Sequence, residues 1–299
     1  MNLALCCISN ILAEDGLKFR TMTFKSFSSK PKNESLEKLS EIIINNFSVT
    51  AKIIYHCAAN NIKGYRISSD LTPVLNHPDV LLKLEDLPNF KNIQLELDNI
   101  KKAIRETNVR VSAHPSEYIS LTSQSEDILI NSIRDLESHA ELFDRLEISR
   151  TYYNPLNIHI RKEGDPLELQ HIFMKNFERL SESVRSRLVL ENNDTGTTWT
   201  VKNLKKYFWN NYNIPVTFDN LHHKMLNEGA SEKDAFFDAY ETWHDIIPLF
   251  HYSEGKDNGR AHRDMAEGLP FNFGKEVFWD VELKSKDIAI LDILRRQAC

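Results

Sequence analysis

The sequence predicts an α/β protein of the (β/α)8-barrel class, and three observations carry that prediction. Eight short β-rich runs alternate with stretches of helical spacing along the 299 residues. Four of those runs end in a histidine or an acid, and His114 and His159 stand within two residues of the end of two more. The length also accommodates a complete barrel, which takes about 250 residues. In a barrel the C-terminal ends of the strands converge on one face, so ligand-type residues repeated there describe a metal-binding mouth.

The eight candidate strands are residues 2–8, 64–68, 108–112, 155–160, 187–191, 215–219, 247–251 and 278–282. Apolar residues recur at 3.6-residue spacing over 36–47, 93–104, 128–142, 169–184, 201–212, 235–246 and 288–294, which suits crossover helices around a parallel sheet. Ser125 ahead of Glu126 and Asp127, and Ser231 ahead of Glu232 and Asp234, are helix-start signals. Residues 9–32 and 252–277 break the rhythm. On a barrel both lie at the ligand-binding face, the second in place of the seventh outer helix. The reading is one domain over 1–299, with an open doubly wound sheet as the alternative.

Composition narrows the class. With 41% hydrophobic and 27% charged residues the chain has the make-up of an ordinary soluble globular protein. A net charge of −6 argues against a protein that coats DNA through a basic surface, but ions in an acidic pocket would reverse the local potential where a phosphate must sit. Cys6, Cys7, Cys57 and Cys299 show no CxxC spacing and read as reduced thiols in a cytoplasmic protein. The opening segment lacks a basic region, and no window approaches the roughly 18 consecutive apolar residues of a membrane span. Neither secretion nor a membrane partner is expected, and a monomer is.

The strand-end residues carry the chemistry. Glu191 closes the apolar run RLVLE, where an unpartnered carboxylate would be costly and a carboxylate bridging two cations would not. Asp219 and His222 form a D-x-x-H that reaches two ions from one loop, although a helix-capping Asp followed by a surface His reads the same way. His223 is the weaker candidate of the adjacent pair. His114 and His159 close the third and fourth runs in what reads as the same register, His251 and His262 flank the long final loop, and Glu282 ends the eighth run. His77 follows the second run, whereas His56, His139, His171 and His244 fall in helical stretches as packing or surface residues. Imidazoles with carboxylates favour manganese or zinc over magnesium.

The segments KFRTMTF, YRISSDLTPVLNHP, VSAHPSEY, LVLENND, FDNLHH, HYSEG with AHRDM, and VELKSKD resemble, in order and spacing, the UV damage endonuclease family. The resemblance spans essentially the whole chain. It implies an endonuclease IV-like TIM barrel with two to three divalent ions, manganese first, that nicks DNA immediately 5′ of a UV photoproduct. It further implies one ion on His114, His159 and Glu191, a second on Glu191, Asp219, His251 and Glu282, and a third on His222 and His262. His77 falls on a family histidine beside the site, and Glu117 and Tyr118 fall on the Gln-Tyr pair that probes the lesion. Four positions depart from the family pattern: Leu249 replaces a lysine, often carboxylated, two residues before His251, Glu117 replaces the glutamine, and Leu5 and Ser9 replace a Tyr and an Asn of the first strand. Glu191, Asp219, His251 and His77 are thus the expected catalytic residues, with Ser9, Glu117 and Tyr118 at the damaged double-stranded DNA. An abasic-site endonuclease of the same fold and a metal-dependent sugar-phosphate isomerase on a related barrel are the rival readings.

Overall fold

In the computed structural model, which describes residues 1–160, 163–195 and 198–298, eight strands lie in one parallel sheet. They are β1 (Asn2–Cys6), β2 (Gly64–Ile67), β3 (Arg110–Ala113), β4 (Leu156–His159), β5 (Leu188–Glu191), β6 (Val216–Thr217), β7 (Leu249–Tyr252) and β8 (Phe278–Val281). Each falls on an expected run. The ladder runs from β6 through β5, β4, β3, β2 and β1 to β8 and β7, so the sheet curls round until β6 faces β7. That seam is closed by a single parallel bridge, Asp219 to His251, with the His251 amide donating to the Phe218 carbonyl at 2.9 Å. Two residues singled out as ligands therefore complete the barrel. Cys299, at the end of the chain, lies outside the described residues.

β6 is shorter than the expected 215–219 because Asp219 leaves the strand to cap the next helix. Asparagine side chains replace the missing ladder. The Asp219 amide donates to Asn192 Oδ1 at 2.8 Å and Asn192 Nδ2 returns a bond to the Asp219 carbonyl. Asn220 makes the same reciprocal pair with the backbone of Ser253, at 3.0 Å each way. Each amide side chain thus satisfies two backbone groups that would otherwise be buried without partners.

The helices are α1 (Asn10–Glu14), α2 (Phe24–Ser28), α3 (Lys32–Ala59), α4 (Phe90–Thr107), α5 (Glu126–Arg145), α6 (Pro166–Phe177), α7 (Glu182–Arg185), α8 (Val201–Leu204), α9 (Asn210–Tyr212), α10 (Asn220–Met225), α11 (Glu232–Glu241) and α12 (Asp287–Ala298). The expected helix 169–184 is two helices, because Ser181 accepts from the Val184 amide and starts α7 afresh. A π turn over Lys205–Trp209 joins α8 to α9, in line with the single stretch 201–212. The expected 36–47 is only part of α3, whose 28 residues extend about 42 Å at 1.5 Å per residue. That is far longer than strands of two to five residues need. Helices α1, α2 and α10 were not expected, and all three belong to connections that follow strand ends.

Alternation along the strands fixes what the barrel interior holds. Registers pair Cys6 with Arg66, Arg66 with Ser112, Asn157 with Val189, Glu191 with Thr217, and His251 with Asp280. These positions, with Leu249 two residues before His251 and Glu282 two after Asp280, point to the same inner face. Leu5, by contrast, pairs with Tyr65 and Val281 on the outer face and is fully buried among the helices.

Candidate metal centre

Glu191, the last residue of β5, is buried at the centre of a ring of imidazoles. Its Oε2 lies 3.3 Å from His114 Nε2, 3.5 Å from His159 Nε2 and 3.1 Å from His251 Nδ1. Its Oε1 lies 3.1 Å from His222 Nδ1. The Asn157 amide also donates to Oε2. Burial raises the carboxyl of Glu191, but the surrounding imidazoles, His159 and His251 foremost, outweigh that and hold it well below the usual carboxylate range.

Two overlapping triads have donor atoms within 4.8 Å of one another: His114, His159 and Glu191, and Glu191, Asp219 and His251. Glu282 borders the second triad, its Oε1 lying 3.4 Å from His251 Nδ1. His114 and His159 do not share a register, contrary to expectation. Ala113 pairs with Leu156, which sets His114 beside Asn157, while His159 pairs with Glu191. The stagger belongs to the tilt of barrel strands, and it still leaves the two rings 5.4 Å apart.

The neighbours of these histidines orient them. The His159 Nδ1 is 2.8 Å from Asn193 Oδ1, whose own amide donates to the Ile160 carbonyl, so the amide oxygen accepts and His159 Nδ1 carries the proton. His114 Nδ1 lies 3.1 Å from the Pro115 carbonyl, and His262 Nδ1 lies 2.7 Å from the Glu282 carbonyl. In each case the bond fixes the ring through Nδ1 and turns Nε2 away from that carbonyl or amide, where a cation could take it. His251 is turned the other way, with Nε2 3.7 Å from Asp280 Oδ2 and Nδ1 toward Glu191.

The D-x-x-H is a helix cap that still leaves one carboxylate oxygen facing the cluster. Asp219 Oδ1 caps α10 by accepting from the His222 amide at 2.7 Å, and its Oδ2 is buried with no hydrogen-bond partner. Burial pushes this carboxyl up to about 6 despite the opposing pull of His222. Both ring nitrogens of His251 are likewise buried without a hydrogen bond. Asp219 and His251 both belong to the second triad, and unsatisfied polar atoms buried together are costly and are what a cation would satisfy. The residues fit a divalent metal, with the imidazole and carboxylate set of a manganese or zinc site.

The remaining expected residues divide between this cluster and its surroundings. His222 joins the Glu191 cluster, whereas His262 approaches Glu282, its Nε2 3.8 Å from Glu282 Oε2. His77 stacks on Phe24 with centroids 4.0 Å apart and accepts from the Asp79 amide. His223 is buried against the Phe218 ring, away from the centre. Glu117 and Tyr118 are exposed in the loop after β3. Ser9 is buried, its hydroxyl bonded to Asp287 and capping α1, so it presents nothing to a duplex in this arrangement. Leu249 is buried below His251.

Sequence reasoning missed Asn157, Asn192, Asn193, Arg66 and Asp280. The inward Arg66 binds Glu282 and lies 3.7 Å from Asp280 Oδ2. Asn157 and Asp280 each stand two residues before an expected ligand, so a period-two reading of β4 and β8 was the available signal.

Fold and cluster together define a (β/α)8-barrel enzyme with a histidine–carboxylate centre at the strand C-termini. The family model for UV-endonuclease UvdE matches residues 1–298, and the chain belongs to that family. It is a DNA endonuclease, a hydrolase. A UV DNA damage endonuclease of Nostoc sp. is 30% identical over 298 residues, covering 96% of this chain and 88% of the relative. The crystal structure of SacUVDE superposes with a TM-score of 0.83 at 28% identity, covering 100% of this chain and 98% of the other. Endonuclease IV from Thermus thermophilus shares the fold, with a TM-score of 0.59 at 14% identity over 83% of this chain and 94% of the other.

Proposed function

We propose that this protein is a DNA-repair enzyme that incises the phosphodiester immediately 5′ of UV photoproducts, cyclobutane pyrimidine dimers and 6-4 photoproducts, leaving a 3′-hydroxyl and a 5′-phosphate. The chain acts as one barrel unit, as a monomer, in the cytoplasm. The observation that carries this reading is the placement of both Glu191 oxygens among four imidazoles, next to the unpartnered Oδ2 of Asp219. His114, His159 and Glu191 would hold one divalent ion; Glu191, Asp219, His251 and Glu282 a second; His222 and His262 a third. Manganese is the first choice and zinc or magnesium the alternatives. When bound, such ions supply Lewis acidity toward a phosphoryl oxygen and a water nucleophile at neutral pH.

The protein's own residues hold and aim. Glu191 stays ionised and bridges the two halves of the cluster. Asn193 and the Pro115 carbonyl fix the rings of His159 and His114 through Nδ1, and Asp280 lies 3.7 Å from His251 Nε2. Damage selection falls to the loop after β3. There Tyr118 is 83% exposed, so its ring has little protein to pack against and is free to enter a duplex. The loop is anchored below it, the Ser116 amide donating to Asp135 Oδ2 at 3.2 Å. A crosslinked dipyrimidine stacks poorly, so unstacking it costs less than the few kcal/mol of an intact step.

The direct test is nicking of UV-irradiated plasmid with Mn²⁺ beside an undamaged plasmid and an abasic duplex. Preferential cutting of the irradiated plasmid supports the reading, and cutting of the abasic duplex alone reassigns the enzyme to abasic sites. Tyr118→Ala is expected to lower incision of damaged DNA by about 10-fold or more, on the scale of losing roughly 1–3 kcal/mol of base stacking. Bound metal and unfolding midpoint should stay at wild-type values, checked on the same preparation.

Metal binding should depend on pH in a defined direction. Although burial disfavours its charge, the carboxylates of Glu191 and Glu282 raise His251 to about 9, so the metal-free ring keeps its proton through neutral pH. A cation must displace that proton. Mn²⁺ affinity is therefore expected to rise between about pH 6 and 9 with net proton release, levelling once the ring is neutral. Calorimetry in buffers of different ionisation enthalpy measures the released proton directly.

A further inference from the structure

We propose that the segment 18–25 is a preformed rail for the sugar–phosphate backbone of the duplex flanking the incision site, an inference that rests on the DNA-incising reading above. Between Gly16 and Asn33 the chain carries Lys18, Arg20, Lys25, Lys30 and Lys32 and no acid, in a protein whose net charge is −6. All five are exposed, and among the described residues none of them forms an ion pair. Several basic residues on the helical wall are paired, whereas unpaired ones among the described residues, such as Lys52, Lys91 and Lys202, stand singly on their helices. Lys101, Arg105, Arg145, Arg179 and Lys205 are each paired with a carboxylate of the same or a neighbouring element. Cations left unneutralised in one segment repel one another, and they suit an external polyanion.

Position and rigidity supply the rest. The segment leaves the C-terminal end of β1 and therefore runs over the face that carries the Glu191 cluster. It is not a loose loop. Asn46, fully buried on α3, accepts from the Arg20 amide at 2.8 Å and donates to the Arg20 carbonyl at 2.9 Å and the Leu71 carbonyl at 3.1 Å. Asn45 holds the Lys18 carbonyl at 2.9 Å. Phe19 packs on the core and Met22 is buried, so the chain alternates apolar residues inward with Lys18 and Arg20 outward. Beyond them Phe24 stacks on His77, and His77 shares a groove of about 650 Å³ with Ser116 and Tyr118. The rail thus leads to the loop proposed to probe the lesion. A backbone fixed in place before binding loses less conformational entropy on contact.

The experiment measures binding of the full-length protein to a UV-irradiated duplex as a function of KCl, for wild type and for the triple variant Lys18→Ser, Arg20→Ser, Lys25→Ser. Each lost phosphate contact is expected to lower the slope of log K against log salt by about 0.9, so the triple variant should lose about 2–3 from the slope and bind at least about 10-fold more weakly at about 0.1 M salt. Arg20→Ser alone should lose about 1, which keeps the test available should the triple variant fold poorly. Slopes and affinities equal to wild type in both variants overturn the rail. A wild type that shows a rail-dependent slope on any duplex yet nicks no irradiated DNA upholds the rail and removes the incision reading; nicking with an unchanged slope does the reverse.

Discussion

Glu191→Ala is expected to abolish incision of UV-irradiated DNA, a loss of about 10³-fold or more, because removal of a single preorganised electrostatic contact in an active site already costs about 10²–10³. Here one carboxylate touches His114, His159 and His251 through one oxygen and His222 through the other. Its removal separates both candidate triads at once. Bound metal should fall with activity, as read by elemental analysis of protein purified without chelator. Glu191→Gln is the sharper control, since it keeps the volume and removes the charge; it too should lose metal. Retained activity in either variant would show that the hub has no part in the chemistry.

Arg66→Met is expected to produce the largest loss of stability, about 3–5 kcal/mol, the cost of removing one partner from a buried ion pair. Arg66 contacts Glu282 and approaches Asp280, and Asp280 has no hydrogen-bond partner on either oxygen. Without the guanidinium two acids face each other inside the barrel. One of them must protonate or take in water. Because Glu282 also borders His251, the variant should bind its second equivalent of Mn²⁺ more weakly than its first. Urea denaturation followed by tryptophan fluorescence, together with a metal titration, separates the two effects.

The strands were legible because the fold places the same demand on each of them: an apolar run buried on both faces and ending at the mouth. Their registers were not, since nothing local records the stagger that puts His114 beside Asn157. The end of α3 was misplaced because Ser48, Val49 and Thr50 have modest helix propensity. Burial of Val49 and Thr50, and the bond from the Thr50 hydroxyl to the Asn46 carbonyl at 2.9 Å, carry the helix through. Charged and imidazole ligands announce themselves at strand ends. Neutral amides do not, so Asn157, Asn192 and Asn193 read as ordinary loop or strand residues although they bond to Glu191, the Asp219 backbone and His159. Ser9 was misread for the opposite reason: its position resembled that of a DNA-facing residue, but Asp287 at the start of α12 draws its hydroxyl inward.

The most direct test is to map the cut on a duplex carrying one cyclobutane dimer at a known position, with Mn²⁺ present. The expected product is a single nick immediately 5′ of the dimer that a polymerase extends and a ligase seals, which requires a 3′-hydroxyl and a 5′-phosphate. It should be absent for Glu191→Ala. A cut elsewhere, a cut indifferent to the dimer, or termini that neither enzyme accepts would contradict a centre built around Glu191 for hydrolysis beside UV damage.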